Sequence, residues 1–332
     1  MEFLLKYDFP PNAVQIDHRD KILLAGSCFT EHIGGSLAEL KFDILQNPNG
    51  ILFDTFSVCR SLESYIEPTP VTGSQLFCLN EAWHSWEHHS LFSHPQPEVS
   101  VQKINDSVNQ AHHFLQQAQW LVITLGSSFS YQLTAESGFA AGRAVANCHK
   151  APAQWFRKYL APVAEQVEKL THTIQLLRRF NPRLKIVFTV SPVRHIRDGV
   201  VENNRSKARL LETVHSLCET HDHVYYFPAY ELVIDVLRDY RFYDIDLVHP
   251  NYAATQFVLE QFINTFINPG SKKIIEAVRP LVTARKHKAF HPDSVAHKKF
   301  LLSHFEKTRA LEKQYPHIDF SGELDYFGNV VI

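Results

Sequence analysis

Short apolar runs alternate along the chain with segments whose apolar residues recur every three or four positions. The apolar runs are typical of buried strands and lie at residues 22–25, 42–45, 120–126, 184–190 and 223–227. The periodic segments predict amphipathic helices over residues 29–40, 56–66, 101–115, 163–177, 202–220 and 250–267. Because strands that alternate with helices build parallel sheets covered on both faces, the pattern predicts a three-layer α/β/α sandwich with a mostly parallel sheet.

Three parts of the chain depart from this alternation. Residues from about 67 to 100 are rich in Pro, His, Trp and Ser, which indicates an insertion or a long loop. Residues 127–150 combine turn residues with alternation and predict a hairpin. Beyond Pro269 the chain is charged and helical. We therefore expect an α/β domain over residues 1–268 and a helical C-terminal extension over residues 269–332.

Composition and charge exclude several classes of function. The chain has 332 residues and a formal net charge of −2, so no overall field favours nucleic acid or an anionic membrane. No run of about 20 apolar residues predicts a membrane span. The start, MEFLLKYDFP, lacks the features of a secretory signal, and the five cysteines show no disulfide spacing, so we expect a cytoplasmic protein. No glycine-rich phosphate loop is present, and we expect no cofactor.

Candidate catalytic residues follow two of the predicted elements. Ligands of open parallel sheets bind at the carboxyl ends of the strands, where Ser27 follows the first strand. Free N–H groups and the helix dipole beside Ser27 would stabilise an oxyanion. Asp246 precedes His249 by three residues, so its carboxylate can accept from Nδ1 and leave Nε2 to take a proton from a hydroxyl. Ser27 is thus the predicted nucleophile, His249 the base and Asp246 its orienter. Taken singly, these motifs are also typical of a tight turn and of a helix cap.

Several motifs in a fixed order resemble a known family. GSCFT, NPNGILFD, TLGSS, NCHK, SPVRH and RFYDIDLVHP resemble the GSCFA-domain family of bacterial proteins, which looks like a branch of the SGNH/GDSL hydrolase superfamily. The resemblance runs from about residue 20 to about residue 265. It implies an SGNH-hydrolase-like, flavodoxin-like fold and a metal-independent esterase or acyltransferase. The substrate class it implies is a small-molecule or glycan acyl ester, such as an O-acetylated glycan.

The same resemblance assigns roles to individual positions. Ser27 matches the superfamily serine, and Gly50 matches the glycine whose N–H lines the oxyanion hole. The superfamily block reads Gly-Asp-Ser where this chain reads Gly-Ser-Cys, and a shift of one residue makes Cys28 the alternative nucleophile. A thiol at a helix N-terminus is reactive because its pKa is lowered. Where the superfamily has an asparagine after a glycine, Ser128 takes that place, and Asn147 is a second source of the amide.

Further side chains have both a structural and a binding interpretation. Trp83 stacks on a sugar or simply packs, and His149 is either a packed histidine or a support of the site. Arg194 and His195 follow a strand end. They either take part in a buried salt bridge with an acidic partner or contact the substrate. The histidines of WHSWEHHS (83–90) lack the spacing of a metalloprotease helix, and we expect no metal site.

Four functions remain open at the level of sequence. The first is a Ser-His-Asp ester hydrolase or acyltransferase, and the second is a thiol hydrolase that uses Cys28. The third is a catalytically inactive binding module that keeps the fold, and the fourth is a metal-dependent hydrolase that uses the histidines of residues 84–89. The sequence leaves open the acyl group, the alcohol and the oligomeric state.

Overall fold

The computed structural model of the protein describes Leu5, Tyr7 and residues 9–328. The strands of this part, in chain order, are β1 (Lys21–Gly26), β2 (Asp43–Gln46), β3 (Phe77–Leu79), β4 (Ala82–His84), β5 (Trp120–Leu125), β6 (Phe129–Leu133), β7 (Ala144–Val145), β8 (Phe156–Leu160), β9 (Lys185–Val190) and β10 (Val224–Tyr226). The helices are α1 (Cys28–Glu39), α2 (Thr55–Ile66), α3 (Pro97–Gln117), α4 (Val163–Phe180), α5 (Val200–Thr220), α6 (Ala229–Glu231), α7 (Tyr252–Phe266), α8 (Pro269–Lys286), α9 (Val295–Gln314) and α10 (Ser321–Gly328). A π-helical segment, Leu232–Leu237, continues α6.

The central sheet contains five strands in the order β10-β9-β5-β1-β2. β1 pairs in parallel with β5, β5 with β9, and β9 with β10. Helices cover the sheet, and further helices follow at the C-terminal end of the chain. The predicted α/β fold with a mostly parallel central sheet is therefore confirmed.

Burial on both faces explains why the central strands are continuous apolar runs. Every residue of β5 is buried. Leu121 and Ile123 belong to the main core cluster, which also contains residues of α2, α3, α4 and α5. Val122 points to the other face of the sheet, where it lines a small cavity together with Phe29 and Ile33 of α1. The three central strands could therefore be predicted from hydrophobicity alone.

The predicted insertion and the predicted hairpin both contain antiparallel strands. β3 pairs with β4 within residues 67–100. β6 pairs with β7, as the hairpin pattern predicted, and also with β8, which gives a three-stranded sheet of order β7-β6-β8. A separate apolar cluster lies here, in which the rings of Phe77 and Trp86 stack with centroids 3.7 Å apart.

The chain divides into two compact units. The first contains Lys21–Gly34 and Ile44–Phe262, and therefore the central sheet. The second contains Phe9–Asp20, Gly35–Asp43 and the chain from Ile263 onward. Its core includes Val278 and Phe327, and its buried Glu323 carboxylate pairs with Lys41 and with Arg285. No helix in residues 9–328 is both long enough and apolar enough to cross a membrane.

Candidate active site

The turn from β1 into α1 requires a glycine at position 26. Gly26 has a φ of +135°, and a Cβ atom there would lie 2.1 Å from the carbonyl oxygen of Thr124 on β5. The next N–H, that of Ser27, donates to the same oxygen at 3.0 Å. Close approach of the two strands therefore accounts for Gly26 without any chemistry.

Ser27 and Cys28 differ in their access to solvent. The Ser27 side chain is 1% exposed, and its Oγ has no hydrogen-bond partner among the described residues. Cys28 is the first residue of α1 and is half-buried. Burial raises the pKa of the Cys28 thiol and Glu31 raises it further, whereas the N–H groups of Cys28 and Phe29 lower it. Cys28 is therefore the more exposed of the two residues.

Asp246 and His249 form a hydrogen-bonded pair. Oδ2 of Asp246 lies 2.6 Å from Nδ1 of His249, while Oδ1 accepts from the N–H groups of Val248 and His249. The hydrogen bond from His249 is the main reason that the pKa of Asp246 falls to about 2. Both side chains are 46% exposed. The carboxylate thus stays ionised and fixes the ring, with Nε2 available to a further partner.

The loop that carries this pair is joined to the segment after β9. The N–H of Arg194 donates to the carbonyl of Val248 at 3.2 Å. The Arg194 guanidinium lies over the rings of Tyr240 and Tyr243, 5.1 Å and 4.3 Å from their centroids. Because β9 and β1 run parallel in one sheet, the pair and the Ser27–Cys28 turn lie at the same carboxyl edge. The structure nevertheless contains no hydrogen bond between Ser27 and His249.

The groups predicted to hold an oxyanion already have partners within the protein. The N–H of Gly50 donates to the carbonyl of Asn47 at 2.7 Å, and the N–H of Ser27 to Thr124. Ser128 donates through its N–H and its hydroxyl to Ser206 of α5.

The predicted amide of Asn147 also has a partner. Its Oδ1 accepts from the N–H of His149 at 2.8 Å, so its Nδ2 is the donor that remains for a ligand.

Two family models match this chain over most of its length. The model described as "GSCFA family" matches residues 21–262, and the model described as "GSCFA domain protein, C-terminal domain" matches residues 278–330. The chain belongs to the GSCFA family.

Solved structures similar to this GSCFA protein include a carbohydrate esterase family 3 from Talaromyces cellulolyticus. The identity is 11%, the match covers 79% of this chain and 99% of that chain, and the TM-score is 0.36. No curated protein matches the sequence.

The aromatic and histidine side chains predicted to bind substrate lie in different surroundings. Trp83 is partly buried and packs against the main core. His149 is buried, and its Nε2 lies 2.7 Å from the carbonyl of Ser85 and its Nδ1 3.1 Å from Oγ of Ser90. Both ring nitrogens of His149 therefore serve internal hydrogen bonds.

Within residues 9–328, no group of three or more His, Cys, Asp or Glu side chains is arranged to hold a metal ion.

His195 follows β9 in the chain, and in the folded protein it also lies near the carboxyl end of β5. Its ring contacts the Phe53 ring edge-on, with centroids 5.9 Å apart, and the backbone N–H of His195 donates to Oδ1 of Asn203. Burial and, to a lesser extent, the charge of Lys207 lower the pKa of His195 to about 4, while a hydrogen bond to the backbone of Gly126 acts in the opposite direction. This imidazole is therefore neutral at neutral pH.

Lys207 is the residue at this edge that sequence reasoning missed. Its side chain is 1% exposed, and Nζ donates to the carbonyls of Gly126 and Ser191, at 2.7 Å and 2.6 Å. A signal was present in the helix pattern, because Lys207 lies three residues before Leu210 and seven before Val214 on the buried face of α5. Lysine side chains are almost never fully buried unless they are paired, so a lysine within the apolar stripe of a helix is unusual.

A separate polar cavity of about 330 Å³ lies beside α2. Its lining includes Asn49, Arg60, Glu67 and His88, and contains none of the residues predicted for catalysis. Oδ1 of Asn49 and Nε2 of His88 are buried and have no hydrogen-bond partner among the described residues.

Proposed function

We propose that this GSCFA protein cleaves or transfers an acyl ester, with a nucleophile at the β1–α1 turn and His249 as its general base. The observation that carries the proposal is the Asp246–His249 pair, in which a 2.6 Å hydrogen bond to Nδ1 leaves Nε2 available. Such a pair orients an imidazole for proton transfer and stabilises the imidazolium that forms.

The proposed reaction uses the side chains in sequence. Nε2 of His249 takes the proton of the nucleophile, whose oxygen or sulfur forms a bond to the acyl carbonyl carbon. The carbonyl electrons move to oxygen, and the first-turn N–H groups of α1 favour that negative charge. The imidazolium then returns the proton to the departing alcohol. Water or an acceptor hydroxyl finally releases the acyl group, which makes the protein a hydrolase or a transferase.

Cys28 is the nucleophile that solvent access favours. A substrate carbonyl has to reach the attacking atom, and Ser27 is buried whereas Cys28 is half-buried. Ser27 would need the turn to open before its hydroxyl could react. In either case Nε2 of His249 has to come within hydrogen-bond reach of the nucleophile, so we expect the site to rearrange on substrate binding.

The substrate class that we propose is an O-acylated glycan or a related small acyl ester. This part of the proposal rests on the motif resemblance, because the side chains of the edge do not distinguish one alcohol from another. A polar alcohol agrees with the exposed, charged setting of the Asp246–His249 pair.

Hydrolysis of p-nitrophenyl acetate tests the proposal. His249→Ala should lower kcat at least about 100-fold, since a general base contributes this much or more. Cys28→Ala should abolish turnover, and Ser27→Ala should do so instead if the hydroxyl is the nucleophile. The matched control is His113→Ala, which removes an exposed histidine of α3 and should leave kcat unchanged. Full activity in the His249→Ala variant would refute the proposal.

A binding module without turnover is the second candidate, and two observations favour it. The N–H groups of Ser27 and Gly50 are already bonded to carbonyls, so the predicted oxyanion donors are not free. The polar cavity beside α2 offers a site that needs no catalytic residue. Binding of a neutral sugar without cleavage of any acetylated sugar or aryl ester would support this second function.

A further inference from the structure

The polar cavity beside α2 has the size and the lining of a small-molecule site. Its volume of about 330 Å³ lies within the range of ligand pockets, which is about 300–1,000 Å³. Among the described residues of its wall, Val71 and Val108 are the only apolar ones. The remainder are hydroxyl, amide, imidazole and charged side chains. Such a wall favours a ligand that forms hydrogen bonds over an apolar ligand.

Hydrogen bonds between distant segments hold this wall in place. The side chain of Asn105 on α3 donates to the carbonyl of Val71 and accepts from the N–H of the same residue. The carbonyl of Asn49 accepts from the N–H of His89 at 3.0 Å. Asp54 caps α2, whose side chains form one side of the cavity. The cavity is therefore preformed, and a ligand does not have to order it on binding.

Two side chains of the wall carry buried polar atoms that the protein itself does not satisfy. Asn49 is 3% exposed and His88 is 5% exposed. Oδ1 of Asn49 and Nε2 of His88 have no hydrogen-bond partner among the described residues. The other ring nitrogen of His88, Nδ1, lies 2.8 Å from Oγ of Ser85, which fixes the ring. Because a buried polar atom without a partner is costly, a ligand that supplies both hydrogen bonds gains binding energy.

A hydroxyl group matches both of these atoms. Oδ1 of Asn49 can only accept, whereas Nε2 of His88 donates or accepts according to the tautomer. A hydroxyl can donate to the first atom and can serve the second in either tautomer. Burial lowers the pKa of His88 to about 4, against the opposing effect of Glu87, so the ring is neutral at neutral pH. The imidazole therefore gives no preference for an anion.

The charged side chains of the wall also favour a neutral ligand. Glu63 and Glu87 each form an ion pair with a basic side chain, at 2.7 Å and 3.3 Å. The remaining carboxylate, Glu67, is balanced by the guanidinium of Arg60. A guanidinium has five N–H donors, and the structure gives that of Arg60 one hydrogen bond to a described residue, to Oγ of Ser57 at 3.3 Å. Arg60 therefore has donors for the oxygens of an uncharged ligand.

We propose that this cavity is a binding site for a neutral polyhydroxylated molecule, such as a monosaccharide. The hydroxyls of the ligand bind Oδ1 of Asn49, Nε2 of His88 and the guanidinium of Arg60. The wall contains none of the residues proposed for catalysis, so binding requires neither Cys28 nor His249. The inference goes beyond the proposed function and does not rest on it.

Saturation-transfer difference NMR and isothermal titration calorimetry with glucose, N-acetylglucosamine and myo-inositol test the proposal. At least one of these three molecules should bind the wild-type protein with a Kd of about 1 mM or tighter. Inorganic phosphate and spermidine, which carry charge, should not displace it. The proposal is wrong if none of the three binds, or if either charged molecule competes for the site.

Substitutions in the wall identify the site of binding. His88→Phe keeps the ring that contacts Phe92 edge-on and removes Nε2, and Asn49→Ala removes Oδ1. Each should weaken sugar binding about tenfold, because a buried hydrogen bond is lost and a ligand hydroxyl is left without a partner. The matched control is His113→Phe, the same substitution at an exposed histidine of α3, which should bind as the wild type does. Wild-type affinity in both wall variants would overturn the proposal.

Arg60→Met remains decisive if the two buried variants fail to fold. Arg60 is half-buried and its hydrogen bond to Ser57 lies within α2, so the variant should fold. Its affinity for the sugar should fall about tenfold, since a hydrogen bond from a charged group is lost. An unchanged affinity would contradict the assignment of the site.

The catalytic variants separate this inference from the proposed function. Cys28→Ala and His249→Ala should bind the sugar as the wild type does, and a loss of binding in both would count against a separate site. Sugar binding without ester hydrolysis would sustain the inference and refute the proposed function. Ester hydrolysis without sugar binding would support the proposed function and refute the inference.

Discussion

Acidification should destabilise this protein strongly, because two buried histidines are neutral in the folded chain. Burial lowers the pKa of His88 and of His149 from 6.5 to about 4. The side chains are 5% and 6% exposed, so water does not offset this burial. Unfolding would expose both rings and return them to their ordinary pKa.

The sign and the size of the effect follow from proton linkage. Between pH 6.5 and about pH 4 the unfolded chain binds protons at both histidines and the folded chain does not, so stability falls as the pH falls. The difference in pKa corresponds to about 3 kcal/mol for each histidine, or about 6 kcal/mol together. A typical domain is stable by only about 5–15 kcal/mol. These two rings could therefore remove much of the folding free energy.

Urea unfolding followed by far-UV circular dichroism at about pH 7 and about pH 5 measures the effect. His149→Gln keeps a donor for the carbonyl of Ser85 but cannot take up a proton, so its stability should depend less steeply on pH by one proton. The matched control is His113→Gln on the exposed side of α3, which should behave as the wild type. A wild-type midpoint that is the same at both pH values would refute the reasoning.

Three substitutions test the local structure around the candidate site by the same urea unfolding. Gly26→Ala should cost about 3 kcal/mol, because its Cβ would clash with Thr124. Gly35→Ala should instead stabilise the protein by up to about 1 kcal/mol, because that Cβ meets no atom within 4 Å and alanine favours the helix. Asp54→Ala should cost about 1–2 kcal/mol, since Asp54 caps α2 and accepts from the hydroxyl of Ser130. A Gly26→Ala protein as stable as Gly35→Ala would contradict the packing of the β1–α1 turn.

Hydrophobic pattern was sufficient for the central sheet because its strands are covered on both sides. The apolar runs predicted at residues 22–25, 120–126 and 184–190 agree within one residue with β1, β5 and β9. A strand buried on one side leaves a weaker signal, because half of its residues are polar. For this reason β8, whose residues are partly exposed, was not predicted from the sequence.

Some features of the candidate site depend on contacts between residues close in the sequence, and others depend on contacts between distant parts of the chain. The hydrogen bond between Asp246 and His249 joins residues three positions apart, so spacing alone predicted it, whereas the catalytic role of the pair stays a prediction. The difference in exposure between Ser27 and Cys28 depends on how β1 approaches β5. No local sequence pattern could therefore predict it.

The sequence by itself determined the order of the central-sheet strands and of the helices between them, because burial periodicity is a local property of the chain. Short motifs in the sequence also identified four candidate catalytic residues, Ser27, Cys28, Asp246 and His249. Only the tertiary structure placed Lys207 on the carbonyls of Gly126 and Ser191, which lie 81 and 16 residues away in the chain. A buried charge is set by the dipoles and the solvent exclusion of elements distant in sequence, and those exist only once the sheet has formed.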